Sequence, residues 1–279
     1  WKSTDGGDTW NLQTPDLPNL SVTSVAQDPL NPDTWYYSSG EVLGNSAGAS
    51  GAAYYGDGIY KSTDNGNTWT LMPQASTDGT SPGLVSPYNT VSRVRVSPTT
   101  GTIFLASTGF GIYRSTDGQS FSDTPVLGTR GEQLFNDLAI ASDGVVGAAI
   151  SEASFDDQGS SNPGNSHDPG IFISENDGQA WIEVTPSDFP DTYRRSVITF
   201  APSNPDIMYV FTLKGVGQTS NQNVAFFKID ITDPQNPSTE NRSDNLPDFR
   251  QNGGGTGYVN LQGGYNMVVD VKPDDEDYV

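Results

Sequence analysis

The sequence predicts an all-β fold built from four-stranded antiparallel sheets, and three observations support this prediction. Glycine and proline are frequent, with 31 and 19 copies among 279 residues, and they separate short apolar runs. Such punctuation favours many short strands and tight turns over long helices. One turn sequence recurs four times, and a second, proline-marked turn alternates with it. Four strands in each repeat of this length is the pattern of a β-propeller blade.

The recurring turn begins with a serine and carries aspartate or asparagine two positions later. Its first serines are 59, 53 and 59 residues apart, a period typical of supersecondary units repeated around an axis. We call these segments the Ser-x-Asp turns. They are STDGGDTW from Ser3, STDNGNTW from Ser62, STDGQSF from Ser115 and SENDGQAW from Ser174.

The second turn lies between two apolar runs. SVAQDPLNPDTWYY (24–37) and ITFAPSNPDIMYV (198–210) share Asn-Pro-Asp ahead of a tyrosine, and 94–106 and 268–279 are looser copies. Proline presets φ, and an Asp or Asn side chain hydrogen-bonds its own turn backbone. One unit is therefore predicted as two strands around a tight turn, a variable loop, and two further strands around a Ser-x-Asp turn.

These units predict a single domain over 1–279 that is a segment of a β-propeller. The half units at the two ends either complete a fifth blade together or belong to a longer propeller, and we expect the longer one. Blades are predicted at about 21–72, 90–126, 133–186 and 195–244, with partial blades at 1–13 and 265–279.

Composition excludes several functional classes. Thirty-four acidic residues against thirteen basic ones give a formal charge of −21, which disfavours nucleic acid and anionic membranes as partners. Cysteine is absent and His167 is the one histidine, so disulfides, thiolate metal sites and histidine-rich metal sites are excluded within this chain. No apolar run approaches the ~20 residues of a membrane span, so direct membrane insertion is not expected.

The Ser-x-Asp turns resemble the Asp-box, or BNR repeat, whose pattern is Ser-x-Asp-x-Gly-x-Thr-Trp. The copies at 3–10 and 62–69 match fully, 174–181 has Asn176 and Ala180 in place of Asp and Thr, and 115–121 is one residue short. The run YYSSGEVLGNSAGASGAAYYGDGIYKSTDNGNTW is similar to secreted, multi-domain surface proteins of Bacteroidota. The resemblance implies a propeller in an extracellular or cell-surface protein. It selects no activity, because the box occurs in sialidases, xyloglucan-cleaving glycosidases, sortilin-type receptors and non-enzymes.

The residue types of the turn indicate a structural role. Asp64 can accept hydrogen bonds from turn N–H groups, Gly66 can adopt positive φ, and Trp69 is large enough to fill the space between blades. Each role is needed once per blade, so we expect the turns to fasten the fold rather than to bind metal. The residues given this role are Ser3, Asp5, Gly7, Thr9, Trp10, Ser62, Asp64, Gly66, Thr68, Trp69, Ser115, Asp117, Phe121, Ser174, Asn176, Gly178 and Trp181.

Ligand binding is expected at the end of the blades opposite the Ser-x-Asp turns. Both tight turns of a blade share one end, so the long variable loops lie at the other, where binding usually resides. Aromatic side chains there could stack on sugar rings while carboxylates bond hydroxyl groups. Unrelated residues at loop starts are the alternative. The candidate ligand contacts are Glu41, Tyr54, Tyr55, Phe110, Glu152 and Phe155.

The acidic loop 151–170 is a candidate calcium site. Asp156, Asp157 and Asp168 supply carboxylates beside Gly and Asn residues, and Ca²⁺ takes about six to eight oxygen ligands. The spacing matches no diagnostic calcium loop, so a solvated acidic loop is the alternative. No other cofactor is predicted.

Charged residues on inner strands bear on an enzymatic role. Arg95 lies three residues before Pro98, and Asp270 takes the same place before Pro273, so both are expected on inner strands. An ion pair that packs blades together explains them as well as chemistry does. A sialidase would also need an early Arg-Ile-Pro stretch, which is absent.

The sequence thus predicts an extracellular propeller module that binds a glycan or protein ligand, or acts as a scaffold, in a secreted bacterial surface protein, as part of a larger chain or assembly. The alternatives are a xyloglucanase- or sialidase-like glycoside hydrolase and a sortilin-like peptide receptor. We expect no activity from this chain alone, because nothing selects a carboxylate pair about 5–9.5 Å apart. The available carboxylates are Glu41, Asp57, Glu152, Asp156 and Asp157.

Overall fold

The structure, a computed structural model, describes residues 1–13, 21–40, 56–76, 86–89, 91–128, 135–151, 169–215, 224–246 and 267–279. Within these ranges the regular structure is β-strand, apart from one 3-10 turn at Ser243–Asn245. None of the described helical structure is long and apolar enough to span a membrane. The prediction of an all-β chain with almost no helix is confirmed for this part of the chain.

Four antiparallel sheets follow one another along the chain, and in each the strands pair in sequence order. The first contains β1 (Val22–Gln27), β2 (Trp35–Ser39), β3 (Gly58–Ser62) and β4 (Thr70–Ser76). The second contains β5 (Val91–Val96), β6 (Ile103–Ser107) and β7 (Gly111–Ser115). The third contains β8 (Asn136–Ile140), β9 (Val146–Ile150), β10 (Gly170–Ser174) and β11 (Ile182–Glu183). The fourth contains β12 (Tyr193–Ala201), β13 (Asn204–Lys214), β14 (Val224–Asp230) and β15 (Ser238–Asn241).

The second sheet has three strands where four were expected. After its Ser-x-Asp turn the chain returns beside β7 in a single bridge between Ile112 and Leu127. The Ile112 N–H donates to the Leu127 carbonyl at 2.9 Å, and the Val126 N–H donates to the Ile112 carbonyl at 2.7 Å. Pro125, two residues before Leu127, has no N–H with which to extend a ladder, so no full fourth strand forms.

Apolar side chains fill the space between each sheet and the next. The middle strands IFLAS of β6, VGAAI of β9 and GIFIS of β10 are buried at every position, because neighbouring sheets cover both of their faces. One core cluster joins the first two sheets, another joins the second and third, and a third joins the third and fourth. Representative members, in that order, are Ile59 with Leu105, Phe104 with Leu138, and Ile173 with Phe227.

The first strands of the four sheets lie side by side in the order β1, β5, β8, β12. The hydroxyl of Thr23 donates to the Val91 carbonyl at 2.6 Å, and that of Ser92 donates to the Asn136 carbonyl at 2.7 Å. Equivalent positions thus make equivalent bonds from one sheet to the next. Blades that follow one another around a propeller axis have their first strands in this order.

Strand pairing gives each sheet two distinct ends. In the first sheet, Gln27 pairs with Trp35 and Trp35 pairs with Ser62, so both tight turns lie at one end. We call this the turn end. The opposite end, where Val22 pairs with Ser39 and where β3 begins at Gly58, is the loop end.

Candidate functional site

The Ser-x-Asp turn at Ser62 is held by a closed set of hydrogen bonds. The Ser62 hydroxyl donates to Asp64 Oδ1 at 2.8 Å and accepts from the Gly66 N–H at 2.8 Å. Asp64 also accepts from the Thr68 N–H at 2.8 Å and from the Thr68 hydroxyl at 2.6 Å. These bonds lower the pKa of Asp64 to about 2, chiefly through the Thr68 hydroxyl. Every carboxylate oxygen thus has a donor within the turn.

The other copies repeat this arrangement with small changes. In the first turn Ser3 and Thr9 hold Asp5, whose pKa is likewise lowered to about 2. In the shortened third turn Ser120 replaces the threonine and donates to both oxygens of Asp117 at 2.8 Å. In the fourth turn Asn176 Oδ1 accepts from the Ser174 hydroxyl at 3.0 Å and from the Ala180 N–H at 2.8 Å, so an amide oxygen substitutes for the carboxylate.

The aromatic residues that end the turns differ in where they lie. Phe121 is buried in the core cluster that joins the first two sheets, and Trp181 packs against the cluster that joins the second and third, whereas Trp10 and Trp69 lie outside these clusters. Trp10 is 58% exposed, and Trp69 is half-buried. Each indole N–H donates to the glycine carbonyl of its own turn, Trp69 to Gly66 at 3.1 Å and Trp10 to Gly7 at 3.0 Å. The Trp69 ring also meets the ring of Tyr37 edge-on at 4.7 Å. The indoles of Trp10 and Trp69 therefore cover their own turns.

In three of the four turns, a cation immediately before the serine donates to the following turn, which belongs to the next sheet. Lys2 donates to the Asn65 carbonyl at 2.6 Å, and Lys61 donates to the Gly118 carbonyl at 3.3 Å. Arg114 donates to the Asp177 carbonyl at 2.5 Å. All three acceptors occupy the fourth position of their turn, and their φ angles of 57°, 64° and 61° lie in the left-handed region. We call this series the turn ladder.

Sequence reasoning missed the turn ladder, although its signal is visible. The segments WKSTD, IYKSTD and IYRSTD carry Lys or Arg directly before the serine, whereas the fourth turn carries Ile173 there. The turn ladder and the hydrogen bonds within each turn show that the described side chains of the turn end hold the sheets together. No group of three or more His, Cys, Asp or Glu side chains that suits a metal ion occurs in the described ranges.

The loop end of the first sheet contains a buried carboxylate whose hydrogen bonds indicate a structural role. Asp57 is 6% exposed and accepts from the Ser39 hydroxyl at 2.6 Å and from the Tyr60 hydroxyl at 2.6 Å. Burial, and then the bond to Asp57, raise the pKa of Tyr60. Both oxygens of Asp57 are occupied, so this residue stabilises the start of β3 and is a poor catalytic acid or base.

Polar side chains also join the later sheets at the loop end. The amide of Asn136 donates to the Ser107 carbonyl at 2.7 Å, and the hydroxyls of Ser196 and Thr212 share a 2.7 Å hydrogen bond. The Tyr193 hydroxyl donates to the Ile150 carbonyl at 2.8 Å. These groups are buried, and their hydrogen bonds join the later sheets at the loop end.

Three arginines interact on the first strands. Arg93 and Arg195 lie towards the loop end, and Arg95 lies next to the turn end of β5. Arg93 on β5 binds Asp137 on β8 through Nε and Oδ1 at 2.7 Å, and the other carboxylate oxygen accepts from the Ile198 N–H on β12 at 3.1 Å. Arg195 on β12 interacts electrostatically with both Asp137 and Arg93. Arg95, two residues along β5, interacts with Arg93, Asp137 and Asp270. We call Arg93, Arg95 and Arg195 the arginine cluster.

Burial and neighbouring charges act differently on the three arginines of the cluster. Burial lowers the pKa of Arg95, the charge of Arg93 lowers it further, and Asp137 and Asp270 oppose this effect. Burial likewise lowers the pKa of Arg195. Arg93, by contrast, has a raised pKa because of the adjacent Asp137 carboxylate. Asp137 thus stabilises the charged form of Arg93 most directly.

At the N-terminus, Lys2 pairs with Asn11 in an antiparallel hairpin around the first Ser-x-Asp turn. A groove of about 900 Å³ lies between this hairpin and the first sheet. Its aromatic lining is Trp1, Trp35, Tyr37 and Trp69. We call it the tryptophan groove. Aromatic faces of this kind can stack on sugar rings or pack against other apolar groups, so the groove is a second candidate contact surface.

Most predicted ligand and calcium contacts lie outside the described residues. This applies to Glu41, Tyr54, Tyr55, Glu152 and Phe155, and equally to Asp156, Asp157 and Asp168. Phe110 is described and is 2% exposed, within the core cluster that joins the first two sheets. A ring in that position stabilises the sheet packing, and its contact with a ligand stays a prediction.

Comparison with known proteins identifies folds alone. No family model matches the chain, and no curated protein matches it. PorZ of Porphyromonas gingivalis, described as an essential bacterial surface component of the type-IX secretion system, has a TM-score of 0.50 and 14% identity over 79% of this chain and 27% of that one. This likeness concerns the arrangement of the sheets.

Two glycoside hydrolase structures are similar at lower TM-scores. The GH74 xyloglucanase of Xanthomonas campestris gives 0.49 with 16% identity over 77% of this chain and 29% of its own. The GH74 enzyme of Niastella koreensis gives 0.47 with 19% identity over 81% of this chain and 39% of its own. The chain thus spans well under half the length of each of these three structures.

Proposed function

We propose that this chain is a segment of an extracellular β-propeller that binds a glycan at its loop end, as a binding or scaffold module of a bacterial surface protein. The observation that carries the proposal is the group of charged side chains on the first strands, in which Arg93, Asp137 and Arg195 lie towards the loop end. Charged and polar groups that are fixed by hydrogen bonds suit a polar ligand.

The two ends of the sheets have different chemistry, which supports the placement of the ligand. At the turn end the Ser-x-Asp turns satisfy their carboxylates internally, and the turn ladder uses the neighbouring cations. At the loop end, charged groups are brought together from three different sheets. The long loops expected to carry Glu41 and Glu152 start at this same end. The surface location is in keeping with the fold shared with PorZ.

A purely binding role is favoured over hydrolysis. Asp57 is the one candidate carboxylate among the described residues, and two hydroxyl donors engage its oxygens. Hydrolysis needs a pair of carboxyl groups about 5–9.5 Å apart with space for the scissile bond between them. The described part of the loop end offers no such pair.

A glycan array that carries neutral and acidic oligosaccharides tests the proposal. We expect glycan binding by the wild-type chain that falls in Arg195→Gln and is kept in Lys272→Gln, an exposed site on the C-terminal hairpin. Binding that both variants retain equally would contradict the loop-end assignment.

Incubation with β-glucans and sialosides tests the hydrolase alternative. Turnover that disappears in Glu41→Gln or Glu152→Gln would make the protein a glycosidase. Binding of no glycan, together with salt-sensitive association with a basic protein, would instead indicate a protein scaffold.

A further inference from the structure

We infer that the tryptophan groove of one copy of this chain binds the C-terminal hairpin, residues 267–279, of a second copy. This association is separate from the ligand proposed for the loop end. Two apolar faces carry the inference, one on the first sheet and one on the C-terminal hairpin. Each exposes positions that the contacts between sheets bury elsewhere in the molecule.

The first sheet exposes valines whose equivalents in other sheets are buried. The residues four positions before the proline that follows the first strand are Val25, Val94 and Ile198. Val94 is 0% exposed against the first sheet, and Ile198 is buried against the third. Val25 is 54% exposed, as is Val22 at the start of the same strand. The outer face of β1 therefore has the composition of an interface between sheets, although it borders the tryptophan groove.

The C-terminal hairpin repeats the tight turn that joins β1 and β2. In the first sheet the Asp28 N–H donates to the Thr34 carbonyl at 2.9 Å, and in the C-terminal hairpin the Lys272 N–H donates to the Tyr278 carbonyl at 2.8 Å. Each donor directly precedes the proline of its turn, and each acceptor lies five residues after that proline. The C-terminal hairpin thus has the form of the first half of a sheet.

One face of the C-terminal hairpin packs on the fourth sheet, and the other face is exposed. Met267 and Val271 are buried in core clusters with side chains of β13, whereas Val268 is 82% exposed. Val197, which like Val268 lies five positions before its proline, is 2% exposed because the C-terminal hairpin covers it. The exposed face is therefore the one on which a following sheet packs.

The contact between the first two sheets shows how these two faces fit together. There the hydroxyl of Ser24, five positions before its proline, accepts from the Val94 N–H at 3.1 Å. Val268 has the position of Ser24, and Val25 has the position of Val94. Docking in the same geometry therefore places Val268 of one copy against Val25 of the second copy.

The N-terminal hairpin, around the first Ser-x-Asp turn, supplies the rest of the composite sheet. Ser3 has the position of Ser62, where β3 pairs with β2. In the described ranges the strand of Ser3 pairs on its other side, through Lys2 and Asn11. A C-terminal hairpin in the tryptophan groove would lie where β1 and β2 lie relative to β3. One hairpin from each copy would then complete a four-stranded sheet.

The charge of the chain predicts how this association depends on salt. Two copies with a formal charge of −21 repel each other, so the attraction must come from the apolar faces. Salt screens the repulsion, and we expect the association to strengthen as the ionic strength rises. Because the two faces differ, each copy offers one of each and the contact runs from head to tail.

Disulfide trapping tests the predicted contact directly, because the chain has no cysteine of its own. Val25→Cys and Val268→Cys, one of them tagged, are mixed under mild oxidation. We expect a linked dimer that contains one copy of each, since the two side chains should lie within disulfide reach. Leu30→Cys, at a similarly exposed site outside the groove, replaces Val25→Cys in the control and should not link to Val268→Cys.

Sedimentation velocity tests the association itself. The wild-type chain should form oligomers that grow with protein concentration and with salt. Val25→Lys and Val268→Lys should each weaken self-association by about tenfold or more, because a lysine loses hydration in an apolar contact. Each variant keeps one intact face, so an equimolar mixture of the two should form dimers. Leu30→Lys should associate as the wild type does, and all three variants should keep the wild-type melting temperature.

Three results would overturn the inference. A wild-type chain that stays monomeric at every concentration would show that no second copy fills the groove. Val25→Cys that links to itself more than to Val268→Cys would show that two grooves meet each other. A mixture of the two lysine variants that stays monomeric, while the wild type associates, would place the contact elsewhere. None of these results bears on glycan binding at the loop end.

Discussion

Replacement of Asp137 by alanine should destabilise the protein more than any other single carboxylate change at the loop end. Asp137 is 4% exposed and connects three sheets through its two oxygens, which bind Arg93 Nε and the Ile198 N–H. Its removal leaves a largely buried guanidinium and a buried backbone N–H without their acceptor. Breaking a buried ion pair costs about 3–5 kcal/mol, and the side chain of Arg93 is 28% exposed, so we expect about 3 kcal/mol.

Thermal unfolding followed by calorimetry measures this cost. For a chain of this size, ~3 kcal/mol lowers the melting temperature by about 6–12 °C. Asp274→Ala serves as control, because its partner Lys272 is exposed and surface pairs contribute about 0–1 kcal/mol. A loss below about 1 kcal/mol in Asp137→Ala would refute the view that this carboxylate joins the sheets.

Three further predictions concern the turn end. Arg114→Met should lower the free energy of unfolding by about 1.5–3 kcal/mol. Lys61→Met should cost less, because its hydrogen bond is 3.3 Å long against 2.5 Å for that of Arg114. Equal melting temperatures for these two variants and the wild type would show that the turn ladder does not stabilise the fold. Asp5 and Asp64 have pKa values of about 2 in the folded protein, below their values near 4 in the unfolded chain. Their contribution to the free energy of unfolding is therefore complete above about pH 4 and is lost as the pH falls towards 2. Urea midpoints that stay constant between pH 4 and pH 2 would contradict this prediction. Trp69→Ala should cost about 1–3 kcal/mol in chemical denaturation, less than a fully buried tryptophan, and a cost above ~4 kcal/mol would place this ring in the core.

The regular parts of the fold could be predicted because they depend on local chemistry. The Asn-Pro-Asp and Ser-x-Asp segments carry their own hydrogen-bonding partners, so turn position and strand order follow from a few adjacent residues. The second sheet departs from the pattern where Pro125 interrupts the return strand. That proline was visible in the sequence, but its effect depended on where the chain met Ile112.

The candidate site was less predictable because it is assembled from distant strands. Arg95 and Asp270 were expected on inner strands by their spacing from proline, and they do interact electrostatically. The convergence of Arg195 with Arg93 could not be read from spacing, because it depends on how β5, β8 and β12 are rotated against one another. The turn sequence likewise allows its last aromatic residue to cover its own turn, as Trp69 does, or to pack against the core, as Trp181 does.

The position of a bound ligand tests the central proposal most directly. A crystal structure of the chain with its best-binding glycan from the array would show that position. Binding at the loop end predicts ligand oxygens within hydrogen-bonding distance of Arg195. A glycan stacked on Trp1, Trp35 and Trp69 in the tryptophan groove, or bound at the Ser-x-Asp turns, would contradict the proposal.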